Sequence, residues 1–110
     1  MNYDELTKKY GRLAIKVGAI FMEVFGGGPD RHAKQVQLFM EQYVLEMAQG
    51  PLSSIEELTS DDQKRQWKLE LLRRCYTPRE AVSLNFEDYL LRLLVAFERR
   101  GIWDLVLKQH

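Results

Sequence analysis

The fold is decided by residues 86–97, which read FEDYLLRLLVAF. They predict a helix over about residues 86–100, with Asn85 as a capping residue, acidic residues in the first turn and a glycine just past the end. Its broad apolar face holds Phe86, Tyr89, Leu90, Leu93, Leu94 and Phe97. Leu91 and Val95 are also apolar but lie off that face. Because a helix that is apolar nearly all round is buried centrally or covered by a partner, we expect this helix to form the centre of the fold.

The bulk composition is that of one ordinary globular domain, which we expect to span residues 1–110. The 16 basic and 16 acidic residues give zero formal net charge, so there is no overall excess of positive charge of the kind that nucleic-acid-binding proteins usually show. The start of the chain is too polar for a secretory signal, and we expect no association with a membrane. Cys75 is the single cysteine, which suits a reducing cytoplasm.

Apolar periodicity predicts three further long helices and several short ones. The expected ranges are about 3–24, 31–48 and 61–76, with short helical segments at 53–58 and from 77 onward and a helical tail over 102–106. Gly11 and Gly18 lie on one face of the first helix, which suggests close approach by another helix. Asp30 is placed to cap the second, and Ser60 with Gln63 forms a capping box for the third. The prediction is therefore an all-α, irregular bundle of four to five helices around the central one.

The residues that could carry chemistry are few and scattered. The loop at residues 26–31 precedes a helix start and could hold an anion, but Asp30 would compete for the same N–H groups, so a simple linker is favoured. His32, His110 and Cys75 are too few and too far apart in the sequence for a zinc site, and no nucleophile with an oriented base is recognisable. We therefore expect no metal, no cofactor and no enzymatic activity. Cys75 itself reads better as a small buried hydrophobe than as a reactive thiol.

Residues 64–79 form the most basic part of the chain. The candidate contacts to nucleic acid there are Lys64, Arg65, Lys68, Arg73 and Arg74. The simpler interpretation is a solvated helix face, because the local charge excess is small beside the number of phosphates that a typical binder neutralises.

The leading hypothesis is a non-enzymatic protein–protein interaction or regulatory protein that acts through an apolar helical surface. The candidate contacts to a partner are Leu91, Val95, Ile102 and Trp103. A homodimer is the simplest version, since closed two-fold dimers are the commonest oligomers. The alternative is that the tail folds back and covers these side chains. Nucleic-acid binding through the basic stretch and a small anion- or ligand-binding bundle are the rival functions.

Overall fold

Five α-helices and one short 3-10 helix make up the described part of the chain. The computed structural model describes residues 1–48, 60–75 and 85–103, and the side chains of all of these except 44–48. The elements are α1 (Tyr3–Tyr10), α2 (Arg12–Phe25), the 3-10 helix (Pro29–His32), α3 (Ala33–Ala48), α4 (Asp61–Arg73) and α5 (Phe86–Arg99). No residue in these ranges belongs to a β-strand, and the predicted all-α helical bundle is confirmed.

Helix α5 is not the centre of the bundle, which corrects the expectation from its sequence, since it leaves one face exposed and α2 contacts more elements. It packs against α2 on one side and α4 on the other, while α2 also contacts α1 and α3. The side chains of Leu90, Leu93 and Phe97 are completely buried. Phe97 meets Phe21 of α2 edge-on at 6.4 Å and Phe39 of α3 at 5.1 Å between ring centroids. One aromatic side chain of α5 thus joins three helices.

The predicted first helix is interrupted at Gly11, where the structure corrects the sequence-based boundary. Gly11 has φ +68° and ψ −144°, a conformation that favours glycine, and its N–H closes α1 by bonding to the carbonyl of Thr7. Gly18 behaves as predicted: a Cβ there would lie 2.5 Å from the ring of Tyr3. The two glycines therefore do different things. Gly11 lets the chain turn between α1 and α2, and Gly18 lets α1 pack closely on α2.

The start of α3 also differs from the expectation. Asp30 lies inside the 3-10 helix, which precedes α3, and does not cap a helix beginning at residue 31. At α4 the predicted capping box is confirmed, because Ser60 accepts from the N–H of Gln63 and the Gln63 amide accepts from the N–H of Ser60. Asn85 occupies the N-cap position of α5, but its side chain makes no capping hydrogen bond.

The ends of α4 and α5 are set by the turns that follow them. Helix α4 ends at Arg73, three residues earlier than predicted, and residues 74 and 75 form a turn. Gly101 follows α5 with φ +64°, the left-handed conformation that its sequence position predicts. The predicted short helices at 53–58 and from 77 onward, and the tail beyond residue 103, lie outside the described residues. None of the described helices has the length and apolar character needed to cross a bilayer.

Candidate interaction surface

The outward face of α5 carries two apolar side chains that the bundle leaves uncovered. Val95 is 61% exposed and Leu91 is 39% exposed, whereas Leu94 and Ala96 beside them are buried. Leu91 and Val95 are four residues apart, so they stand one above the other on the same side of the helix. We call this pair the α5 ridge. Its position confirms that α5 is apolar on more sides than the bundle itself covers.

A groove runs along one flank of the ridge, between α4 and α5, and we call it the α4–α5 groove. It has a volume of about 660 Å³. The α4 side is lined by Asp61, Lys64, Arg65 and Lys68, and the α5 side by Leu94, Val95, Glu98 and Arg99. On each helix these positions recur at three- and four-residue steps, so the walls are two facing helix surfaces. The groove is about 10 Å long at 1.5 Å per residue, or about two helical turns.

A second, smaller groove of about 400 Å³ lies on the other flank, between α2 and α5. It is lined by Glu23, Val24, Leu91, Arg92, Val95, Ala96 and Arg99. Val95 and Arg99 line both grooves. The ridge is therefore a raised apolar strip between two depressions, a shape that offers more contact area than a flat helix face.

Ion pairs join α5 to its neighbours around these grooves. Glu23 of α2 receives hydrogen bonds from both Arg99 and Arg100, the latter at 2.9 Å from its Nη2. These bonds, from Arg100 first and Arg99 second, lower the pKa of Glu23 below its ordinary value. Arg73 binds both carboxylate oxygens of Glu87, at 2.6 and 3.1 Å, and this likewise lowers the pKa of Glu87. All of these carboxylates are solvent-exposed, so each pair mainly fixes geometry and adds little to stability.

The structure places the five basic residues singled out in the sequence in different environments. Lys68 forms a 2.6 Å ion pair with Glu98 and lies 5.5 Å from the ring of Trp103, and Arg73 is held by Glu87. Lys64 and Arg65, in contrast, have no ion pair among the described residues, and both line the α4–α5 groove. Arg74 is exposed in the turn after α4. The five cations therefore do not form one continuous, uncompensated patch.

Two of the four residues predicted to contact a partner are not on the surface, so the prediction is wrong for these two. Ile102 is completely buried and Trp103 is 4% exposed. The turn at Gly101 folds the chain back, and the Trp103 ring packs 5.4 Å from Phe97 and 6.0 Å from Phe39 between centroids. The core thus covers Ile102 and Trp103, and of the four predicted contacts Leu91 and Val95 are the two that are exposed.

The glycine-rich loop is closed by His32. Its Nε2–H donates to the carbonyl of Gly26 at 2.6 Å, and its ring packs beside those of Phe21 and Phe25, at 6.2 and 6.0 Å between centroids. His32 is itself buried. The loop is therefore a structural turn tied to the aromatic core, and its helix, Pro29–His32, is a single 3-10 turn. The geometry favours the linker interpretation over an anion site.

Cys75 is a buried hydrophobe in this structure. Its side chain is completely enclosed, and the thiol donates weakly to the carbonyl of Leu71 at 3.6 Å. Burial raises the pKa of the Cys75 thiol to about 12. At neutral pH it is therefore protonated and a poor nucleophile. Within the described ranges no three His, Cys, Asp or Glu side chains come close enough to hold a metal ion.

No family model, curated protein or solved structure matches this chain. The interpretation of the surface therefore depends on its own geometry. Sequence reasoning found the α5 ridge and found Lys64 and Arg65, but treated them as belonging to rival functions. Their shared groove was missed, because Lys64 and Val95 are 31 residues apart in the sequence and no local pattern reports that their helices pack together.

Proposed function

We propose that this protein is a non-enzymatic protein–protein interaction domain whose contact surface is the α5 ridge with its two flanking grooves. The observation that carries the proposal is the 61% exposure of Val95, a large aliphatic side chain at the meeting point of both grooves. Apolar side chains beside a groove are the surface that an amphipathic partner helix covers in helix-in-groove recognition. The buried single cysteine suits a reducing compartment, and we place the function in the cytoplasm.

The exposed apolar area of the α5 ridge limits how much its burial can contribute to the affinity for a partner. Complete burial of a Val or Leu side chain contributes about 2 kcal/mol, so covering the exposed fractions of Val95 and Leu91 contributes about 2 kcal/mol in total. That corresponds to about 30-fold in Kd. A stable complex needs more than this, so the polar walls of the grooves must take part.

A partner-capture experiment with a matched control tests the proposal. Val95→Asp places a carboxylate at the centre of the ridge, and Ile15→Asp places one on another helix at a side chain that is 51% exposed. The proposal predicts a protein in an extract of the native cell that binds the wild type and Ile15→Asp alike. Its capture by Val95→Asp should fall by about tenfold or more, because an unpaired charge is costly to bury.

Self-association belongs to the same proposal and is measured separately. If the partner is a second copy of the chain, light scattering after size exclusion at tens of micromolar will show a dimer of the wild type that Val95→Asp converts to monomer. A strict monomer, combined with no captured protein that distinguishes Val95→Asp from Ile15→Asp, would refute the proposal.

Nucleic-acid binding is the alternative function, supported by Lys64 and Arg65, which have no ion pair in the described part of the chain. It predicts retardation of short DNA or RNA that weakens steeply with salt and is lost in the double variant Lys64→Glu, Arg65→Glu. The pairing of Lys68 and Arg73 with carboxylates counts against it, because those charges are already compensated.

A further inference from the structure

The charges around the α5 ridge are unequal, and this inequality bears on what kind of partner fits. Four cationic and two acidic side chains line the α4–α5 groove. Glu98 forms an ion pair with Lys68, and Arg99 forms one with Glu23. The remaining side chains are Lys64, Arg65 and Asp61, so the wall of α4 presents an excess of positive charge beside Val95.

The opposite flank adds a further cation. Arg92 lines the α2–α5 groove, is exposed and lies over the ring of Tyr89 at 5.4 Å. It has no carboxylate partner among the described residues. The apolar ridge is thus bordered by Lys64 and Arg65 on one side and by Arg92 on the other.

We propose that the α5 ridge binds an amphipathic helix of another protein, with apolar residues over Leu91 and Val95 and acidic residues facing Lys64, Arg65 and Arg92. This inference depends on the proposed function and specifies its partner. A helix fits because Leu91 and Val95 are one helical turn apart, the spacing that i, i+4 anchors match, and because the α4–α5 groove beside Val95 is formed by two helix surfaces. An acidic border fits because it compensates the cations that have no partner within the described chain.

A second copy of this chain fits the ridge less well. A two-fold axis that set Leu91 of one copy against Val95 of the other would pass near residue 93 of α5. It would bring the two Arg92 side chains close to each other across the interface. Like charges at an interface are unfavourable, so the charge pattern favours a different, acidic partner.

The test is a selection from displayed helical peptides of about 18 residues, or about five turns. In each peptide, the positions on one face of the helix carry Leu, Ile, Phe or Met. The positions on either side of that face carry Glu, Gln or Lys in equal proportion. The library is selected on the full-length protein at low salt. The expected result is a pool in which Glu exceeds Lys at the flanks by about tenfold.

Binding of the best peptide is then measured on four variants. Val95→Asp should abolish binding and Ile15→Asp should leave it unchanged. The double variant Lys64→Glu, Arg65→Glu should weaken binding by about tenfold. Its matched control, Lys8→Glu with Arg12→Glu, reverses two exposed cations on α1 and α2 and should leave the affinity within about twofold. Circular dichroism confirms that each variant keeps its helix content.

Each other outcome overturns the inference in an identifiable way. Selected peptides that need Val95 but show no preference for Glu would remove the acidic partner and leave the proposed function standing. Self-association that Val95→Asp abolishes would also refute the acidic partner and leave the proposed function standing, since the ridge would then bind a second copy of the chain. If no peptide is selected, or if the selected peptides bind Val95→Asp as well as the wild type, the α5 ridge does not bind a helix and the inference is refuted. A labelled RNA or DNA oligonucleotide that binds through Lys64 and Arg65 and ignores Val95→Asp removes both proposals.

Discussion

Replacing Gly18 with Ala tests the packing of α1 on α2 directly. Two effects oppose each other. Alanine in a helix interior is favoured over glycine by about 1 kcal/mol. The new Cβ, however, would lie 2.5 Å from Cε2 and 2.7 Å from the hydroxyl of Tyr3, so the ring must move by about 1 Å to reach ordinary contact.

The cost of that movement can be worked from what the Tyr3 ring touches. Its hydroxyl donates to the carbonyl of Ile15 at 3.3 Å, a bond whose loss costs about 1 kcal/mol. The ring also packs against the core, and disturbing a packed group costs a further ~1 kcal/mol at the low end of the usual range, because Tyr3 is only partly buried. The sum is about 2 kcal/mol against a gain of about 1 kcal/mol. We expect Gly18→Ala to destabilise the protein by about 1 kcal/mol, or about 4 °C in Tm.

A double-mutant cycle with Tyr3→Ala separates the two effects. In the Tyr3→Ala background the clash is gone, so Gly18→Ala should stabilise by about 1 kcal/mol, which gives a coupling of about 2 kcal/mol. The measurement is urea denaturation followed by far-UV circular dichroism. Gly11→Ala is the contrast: a Cβ there meets nothing within 4 Å, but φ is +68°. It should cost about 2 kcal/mol whatever residue stands at position 3.

The result that would refute this reasoning is the absence of coupling. If Gly18→Ala stabilised the protein equally with tyrosine or alanine at position 3, the Tyr3 ring would not lie against Gly18, and the described packing of α1 on α2 would be wrong.

Three further predictions concern single side chains. Because Arg100 and Arg99 lower the pKa of Glu23, their contribution to stability is present above its ordinary value of 4.5 and is lost as the pH falls through the lowered value. Denaturation midpoints measured from neutral to acidic pH should therefore fall further for the wild type than for Glu23→Gln, and parallel curves would contradict this. Because burial raises the pKa of Cys75 to about 12, an aromatic disulfide reagent at neutral pH should label it only in urea, and rapid labelling of the native protein would disprove its enclosure. His32→Ala removes a buried ring and leaves a carbonyl without its donor, so it should cost about 3 kcal/mol in urea denaturation; a cost under about 0.5 kcal/mol would mean that the ring does not hold the loop.

The sequence predicted the elements of this fold well where the signal is local. The Ser60–Gln63 capping box, the stop at Gly101 and the apolar face of α5 depend on residues within a few positions of one another, and all three are present. The break at Gly11 was missed because an isolated glycine within a helical pattern is compatible with both a continuous and an interrupted helix. Only the backbone angles of the folded chain distinguish these cases.

The candidate surface shows the limit of the sequence more sharply. Leu91, Val95, Ile102 and Trp103 are equivalent in the sequence as surplus apolar residues near the end of the chain. The fold buries the last two and exposes the first two, because the turn at Gly101 directs the chain back onto the aromatic core.

The amino-acid sequence alone therefore determined the helical class, the buried apolar face of α5 and the presence of further apolar side chains outside that face. The tertiary structure decided which of those side chains face solvent and which charges stand beside them. The physical reason is the separation along the sequence over which each effect acts. Helix periodicity and capping act within one or two turns. The position of Val95 beside Lys64 and Arg65, which are 31 and 30 residues before it in the sequence, arises instead from the packing of α5 on α4.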